Sequence, residues 1–336
     1  MGEHNINRAA AVPESVPVPK EGAARCAAAG RAIRMLGFDY TMELDFGSSE
    51  REEPGIFGQA GPYSQDVLSQ ANNHAFTLRC LPQELPSQHV LDFRILMEPE
   101  TELSYQTDSF GNRFCYGMIR ENHSLFRVQV SGHAERFPDR MDASTMQQEM
   151  IFRSFSKETR PGPVLTALYR RLLHELYGRP VPEEGGESAG EQPLRRASSE
   201  ETLSYAAAAR DLVHSYMTYK PDATRYDTRA EQAAKGREGV CQDFSHMLLA
   251  LCRMAGVPAR YTAGLLIGEG RSHAWVEVAA GGLWHPMDPT NPDIAWDQQV
   301  IFSHGRDAED CKINRGTYYG PSAQMQFIRA AVYQEQ

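Results

Sequence analysis

Between residues 38 and 46 the chain reads FDYTMELDF, with Phe38, Tyr40, Met42, Leu44 and Phe46 at every second position. Apolar residues spaced by two share one face of a strand, so the pattern predicts a half-buried strand. Four more stretches of similar length, at 74–81, 89–98, 113–120 and 124–135, have turn-rich borders, and SFGN at 109–112 is a turn signal between two of them. Short strands at this spacing predict an antiparallel β-sandwich over residues 32–138. The polar, Gly/Pro-rich run at 47–65 reads as a long loop, and residues 1–31 as a disordered tail.

After residue 139 the period changes to that of helices. GPVLTALYRRLLHELYG (162–178) is amphipathic and bounded by Pro163 and Gly178, and 198–217 opens with Ser198 and Glu201 as a capping box. The small, charged, Pro/Gly-rich run at 179–200 reads as a flexible insertion. In CQDFSHMLLALCRMA, residues Phe244, Met247, Leu248, Leu251, Cys252 and Ala255 recur at helical spacing as one buried stripe, and Gly256 and Pro258 stop the helix. Cys241 therefore occupies the first turn, where free N–H groups and the macrodipole favour an anion. His246 falls on a different face, as a surface or packing residue, and Gln242 and Asp243 read as structural.

A thiolate needs a proton partner. HAWVEVA alternates, with His273, Trp275 and Glu277 on one face and Ala274, Val276 and Val278 on the other. AAGG (279–282) reads as a hairpin turn, and closure near Gly281 sets His273 opposite position 288 or 289. Asp288 is then placed to fix the imidazole tautomer while His273 shares its other nitrogen with the sulfur of Cys241.

Net charge −10 argues against binding nucleic acid through a broad basic surface. Six cysteines without a C-x-x-C pair suit free thiols of a reducing compartment better than a disulfide framework or a zinc ribbon. His285 and His304 have no compact ligand spacing with His273 and Cys241, so no metal or cofactor is expected. No apolar run reaches a membrane-spanning length, and residues 1–22 lack the apolar core of a signal peptide, so a cytoplasmic location without membrane attachment is expected. The oligomeric state is not legible.

GVCQDFSH, GVPARYTAG, SHAWVEV and DPTN, in that order, resemble the transglutaminase-like superfamily. The lead-in from Tyr219, the segment at 305–316 and the strand-rich part with DSFGN (108–112) resemble bacterial members with their N-terminal β domain. The resemblance implies an α+β protein: an N-terminal antiparallel β-sandwich, then a papain-like transglutaminase core over 139–336. It implies Cys241 as nucleophile, His273 as base then acid, and Asp288 as orienter. The implied activity is that of a cysteine peptidase-like hydrolase acting on a protein or peptide amide through a thioester. Amine transfer to protein glutamine is the alternative acyl acceptor chemistry, and a non-catalytic partner-binding module with a vestigial triad is the alternative class.

Overall fold

The computed structural model describes residues 33–47, 70–178, 194, 197–320 and 324–335. The tail at 1–31, nearly all of the loop at 47–65 and most of the insertion at 179–200 lie outside the described residues. The chain first lays down β1 (Arg34–Asp45), β2 (Asn72–Leu78), β3 (Gln88–Glu98), β4 (Ser104–Thr107), β5 (Arg113–Ile119) and β6 (Leu125–Arg136). Then come α1 (Met146–Phe152), α2 (Pro163–Tyr177), α3 (Ser199–Tyr216), β7 (Thr218–Tyr219), α4 (Ala230–Gly236), β8 (Glu238–Gly239) and α5 (Cys241–Met254). Strands β9 (Ala259–Leu266), β10 (Gly268–Gly270), β11 (His273–Ala280), β12 (Leu283–Met287), β13 (Gln299–Gly305), β14 (Asn314–Tyr319) and β15 (Met325–Gln334) close it.

Two antiparallel sheets, ordered β10-β15-β1-β6-β3 and β14-β2-β5-β4, form the sandwich. Their shared core holds the whole predicted face of β1, from Phe38 to Phe46, with Phe76, Leu78, Phe126, Val128 and Val130. The expected division at 138/139 is crossed, because β10, β14 and β15 belong to these sheets although they lie far along the chain. β15 runs along β1 from Leu36↔Gln334 to Asp45↔Met325. β1 therefore needs the far end of the chain to complete its ladder.

A third sheet, β12-β11-β9-β13, lies between the sandwich and the helices. Ala259, Tyr261, Ala263, Ala274, Val276 and Val278 pack into the helical core, whereas Leu265, Val300 and Phe302 join the sandwich core. Covered on both sides, β9, β11 and β13 are buried almost throughout. The same covering corrects the expectation of a single stripe on α5. Every residue from Asp243 to Arg253 is buried, His246 included, because neighbours enclose all its faces. His246 Nε2 accepts from the Ala308 N–H at 3.1 Å, and burial holds the ring neutral with its pKa lowered to about 4.

β13 is an edge strand, and buried amide side chains of the N-terminal part close its edge. Gln88 Nε2 donates to Ile301 O at 3.1 Å while its Oε1 accepts from Ile301 N at 2.8 Å. Asn112 does the same at His304, donating to its carbonyl and accepting from its N–H, both at 2.7 Å. Gln83 Nε2 donates to Phe302 O at 2.7 Å. Strand edges expose unpaired donors and acceptors, and these amides satisfy them without adding a strand. Asp108 fixes Asn112 in turn, its Oδ1 accepting from the N–H groups of Phe110 and Asn112. Among the described residues no helix is long and apolar enough to cross a membrane.

Candidate active site

α5 begins at Cys241, as the sequence predicts, so the Cys241 N–H lies in a first turn that has no carbonyl one turn earlier to bond it. The cap comes from inside the helix. Asp243 Oδ2 accepts from the Val240 N–H at 2.8 Å and from the Thr224 hydroxyl at 2.6 Å. Burial raises the Asp243 pKa and these bonds oppose the rise. Gly239 is needed for this carboxylate rather than for room at the sulfur: a Cβ there would lie 2.6 Å from Asp243 Oδ2. Gln242 reaches back to Tyr226 O at 3.1 Å. Thr224 belongs to a loop with no periodic signal, so only the structure reveals its part in the cap.

His273 and Asp288 come from the β11–β12 hairpin. Gly281 and Gly282 have φ of 62° and 79°, the left-handed pair that a two-residue turn demands. Ala280↔Leu283 to Val276↔Met287 is the observed register, so extending the ladder would bring residue 290, not 288, opposite His273. Asp288 lies past the last pair and reaches the imidazole diagonally, with Oδ2 at 2.7 Å from His273 Nε2. Its Oδ1 accepts from the N–H groups of Thr290 and Asn291 at 2.8 and 2.9 Å, so the DPTN turn fixes the carboxylate. Cys241 lines the same cleft as His273 and acts electrostatically on its imidazole. Burial pulls the His273 pKa down, but the bonds and charges of Asp288 and Cys241 outweigh it and raise it to about 10. The ring stacks on Trp275 at 6.1 Å between centroids. The structure thus bonds Asp288 to His273 and sets Cys241 on the wall of the same cleft.

Behind them, Glu277 on β11 is buried and held ionised by Arg260, whose Nε lies 2.7 Å from Glu277 Oε2, and by His304 at 3.3 Å. Trp284 covers Arg260 at 4.4 Å. His285 donates to Ala280 O. Among the described residues no group of three His, Cys, Asp or Glu side chains could hold a metal ion. Cys241 and His273 open onto a cleft of about 990 Å³ whose walls include Tyr219, Gln242 and Ile267 of the core and Gln326, Ile328 and Tyr318 of the β15 and β14 side.

Residues 191–289 match the transglutaminase-like superfamily, and residues 68–135 match the bacterial transglutaminase-like N-terminal region. Over these two stretches the chain is similar to a transglutaminase-like core and to the N-terminal region of bacterial transglutaminase-like proteins. An uncharacterized protein of Mycobacterium leprae is 35% identical over 139 residues, covering 38% of this chain and 50% of that relative; the chain thus spans half of that relative's length. An uncharacterized protein of Mycobacterium tuberculosis is 24% identical over 271 residues, covering 76% of this chain and 83% of the relative. A Cytophaga hutchinsonii structure described as a "putative cysteine protease" superimposes with a TM-score of 0.66 at 18% identity, over 91% of this chain and 92% of that one. At that identity the likeness shows the fold, a mixed α+β core joined to an N-terminal β domain.

Proposed function

We propose that the protein is a thiol-dependent hydrolase of peptide-type amides, with Cys241 as nucleophile, His273 as proton carrier and Asp288 as its orienter. One observation carries this reading: a buried imidazole bonded to Asp288 shares one cleft with a cysteine at a helix start. With its pKa at about 10, His273 is protonated at neutral pH and can pair with a Cys241 thiolate.

The thiolate adds to the amide carbonyl, and the Cys241 N–H donates to the oxyanion that forms. Collapse breaks the C–N bond, His273 gives its proton to the leaving amine, and a thioester remains. Neutral His273 then takes a proton from water as the hydroxyl adds to the thioester carbon. The second collapse breaks the C–S bond and restores the thiolate and the imidazolium, so the net change is amide plus water to acid plus amine.

A peptide pool incubated with the protein and a dansylated amine tests both acceptors by mass spectrometry. Cleaved fragments that vanish in Cys241→Ala are expected. Amine-tagged peptides instead would replace hydrolysis with transfer. Turnover that survives Cys241→Ala, or none in any pool, would overturn the enzyme reading and favour a partner-binding module.

A further inference from the structure

Resting on the thiol-enzyme reading, we propose that the acyl donor is an extended peptide that pairs with the strand edge at β10, with an acidic side chain received by Arg271. β10 is the last strand of its sheet, and Glu269 and Gly270 line the cleft four and three residues before His273. It pairs with β15 only from Gly268↔Val332 to Gly270↔Ala330. Beyond Ala330 the same edge of β15 has no strand among the described residues, and Gln326 and Ile328 there also face the cleft. Two open edges thus border the site, the outer edge of β10 and, one strand further in, that of β15 beyond Ala330, and main-chain pairing is how such an edge takes a peptide.

Gly270 has no internal reason to be glycine. Its φ lies outside the left-handed region, and a Cβ there would meet nothing within 4 Å. Gly316, on the edge strand of the opposite wall, differs: its Cβ would lie 2.7 Å from Ala75 O, so the fold itself demands the glycine. A bare backbone at Gly270 instead leaves room for a chain that comes from outside. Arg271 follows directly. Lys312 and Arg315, which also line the cleft, are both held by Glu309. Arg271 bonds no described side chain, Glu269 included. Its charge acts on the Tyr219 hydroxyl, which burial and Cys241 push the other way, so guanidinium, phenol and thiol share one end of the cleft. A free guanidinium beside a strand edge matches a carboxylate on the docked peptide.

Full-length Cys241→Ala protein, which cannot turn over, is titrated by fluorescence anisotropy with two labelled decapeptide pools, one with Glu fixed at a central position and one with Lys. The Glu pool should bind about tenfold more tightly, and Arg271→Glu should reverse the preference. Gly270→Val should weaken both pools alike without shifting Tm, and N-methylated backbones should bind poorly. No binding, no charge preference, or indifference to Gly270→Val and N-methylation would overturn the proposal. Peptides that bind in this way but survive the wild-type protein would leave the docking edge standing and remove the hydrolase. Peptides cleaved by the wild type with no sensitivity to Gly270 or Arg271 would do the reverse.

Discussion

Asp288 spends one oxygen on its own turn and the other on His273, which makes the carboxylate the fixed point of the site. Asp288→Asn keeps the shape but removes the charge that helps hold His273 at about 10. The imidazolium needed for acylation persists below that value and is lost as pH rises through it. The alkaline limb of kcat/KM should therefore lie near 10 in the wild type and move down in Asp288→Asn; an unmoved limb would separate the two residues functionally. His273→Ala should cost roughly 10²–10⁴ in kcat/KM. Gly239→Ala forces a methyl against the Asp243 carboxylate, so we expect about 1–3 kcal/mol of destabilisation in urea titrations. That substitution should also slow alkylation of Cys241, since it disturbs the turn that presents the thiol.

At the scale of elements, the N-terminal part acts on the core through β13. Asn112→Ala strands a buried N–H and a buried carbonyl of that strand, and Gln88→Ala strands the Ile301 N–H while the Ile301 carbonyl keeps the Gln83 N–H, at about 1–3 kcal/mol for each abandoned group. Denaturant titration should show this loss, and Asn112→Asp should not restore it, because a carboxylate cannot donate to His304 O. The role of Asn112 was not legible in the sequence: DSFGN reads as a turn, and nothing local says that its amide seals an edge 192 residues away. Elements that announce themselves did so through local chemistry. The Ser198–Glu201 box, Pro163 with Gly178, and Gly256 with Pro258 set helix ends by what each residue does to its own backbone. α4 has alanines where a stripe would need larger residues, and β13, QVIFSHG, is buried throughout with no apolar alternation, so neither has a clear period. The candidate residues Cys241, His273 and Asp288 were legible because three short motifs each place one side chain. The two-residue offset of Asp288 from the ladder was not, since the side chain rather than the register closes that gap.

Across the whole molecule, the described residues from Ile33 onward belong to one compact unit. β15 completes the β1 ladder, β14 completes β2, and Leu265, Val300 and Phe302 of the core fill the sandwich interior. These pairings link positions hundreds of residues apart, so the alternation of Ile328, Ala330 and Val332 in β15 gives no hint of its partner. A fragment of residues 32–138 should fail to unfold cooperatively, because β1 lacks one neighbour and its core lacks those side chains. Calorimetry of the full chain should show one transition covering both parts. Two well-separated transitions, or a cooperative 32–138 fragment, would contradict a shared core.

The most direct test of the central claim is the rate of Cys241 alkylation by iodoacetamide across pH, mapped by peptide mass spectrometry in wild type and His273→Ala. Cys80, Cys115, Cys252 and Cys311 are buried, with their thiols pushed up to about 12 or beyond by desolvation, and serve as internal controls. An imidazole-paired nucleophile predicts that Cys241 labels far ahead of these four at neutral pH and that His273→Ala slows it markedly. Labelling of Cys241 at the pace of the buried thiols, or at the same pace in both proteins, would contradict it.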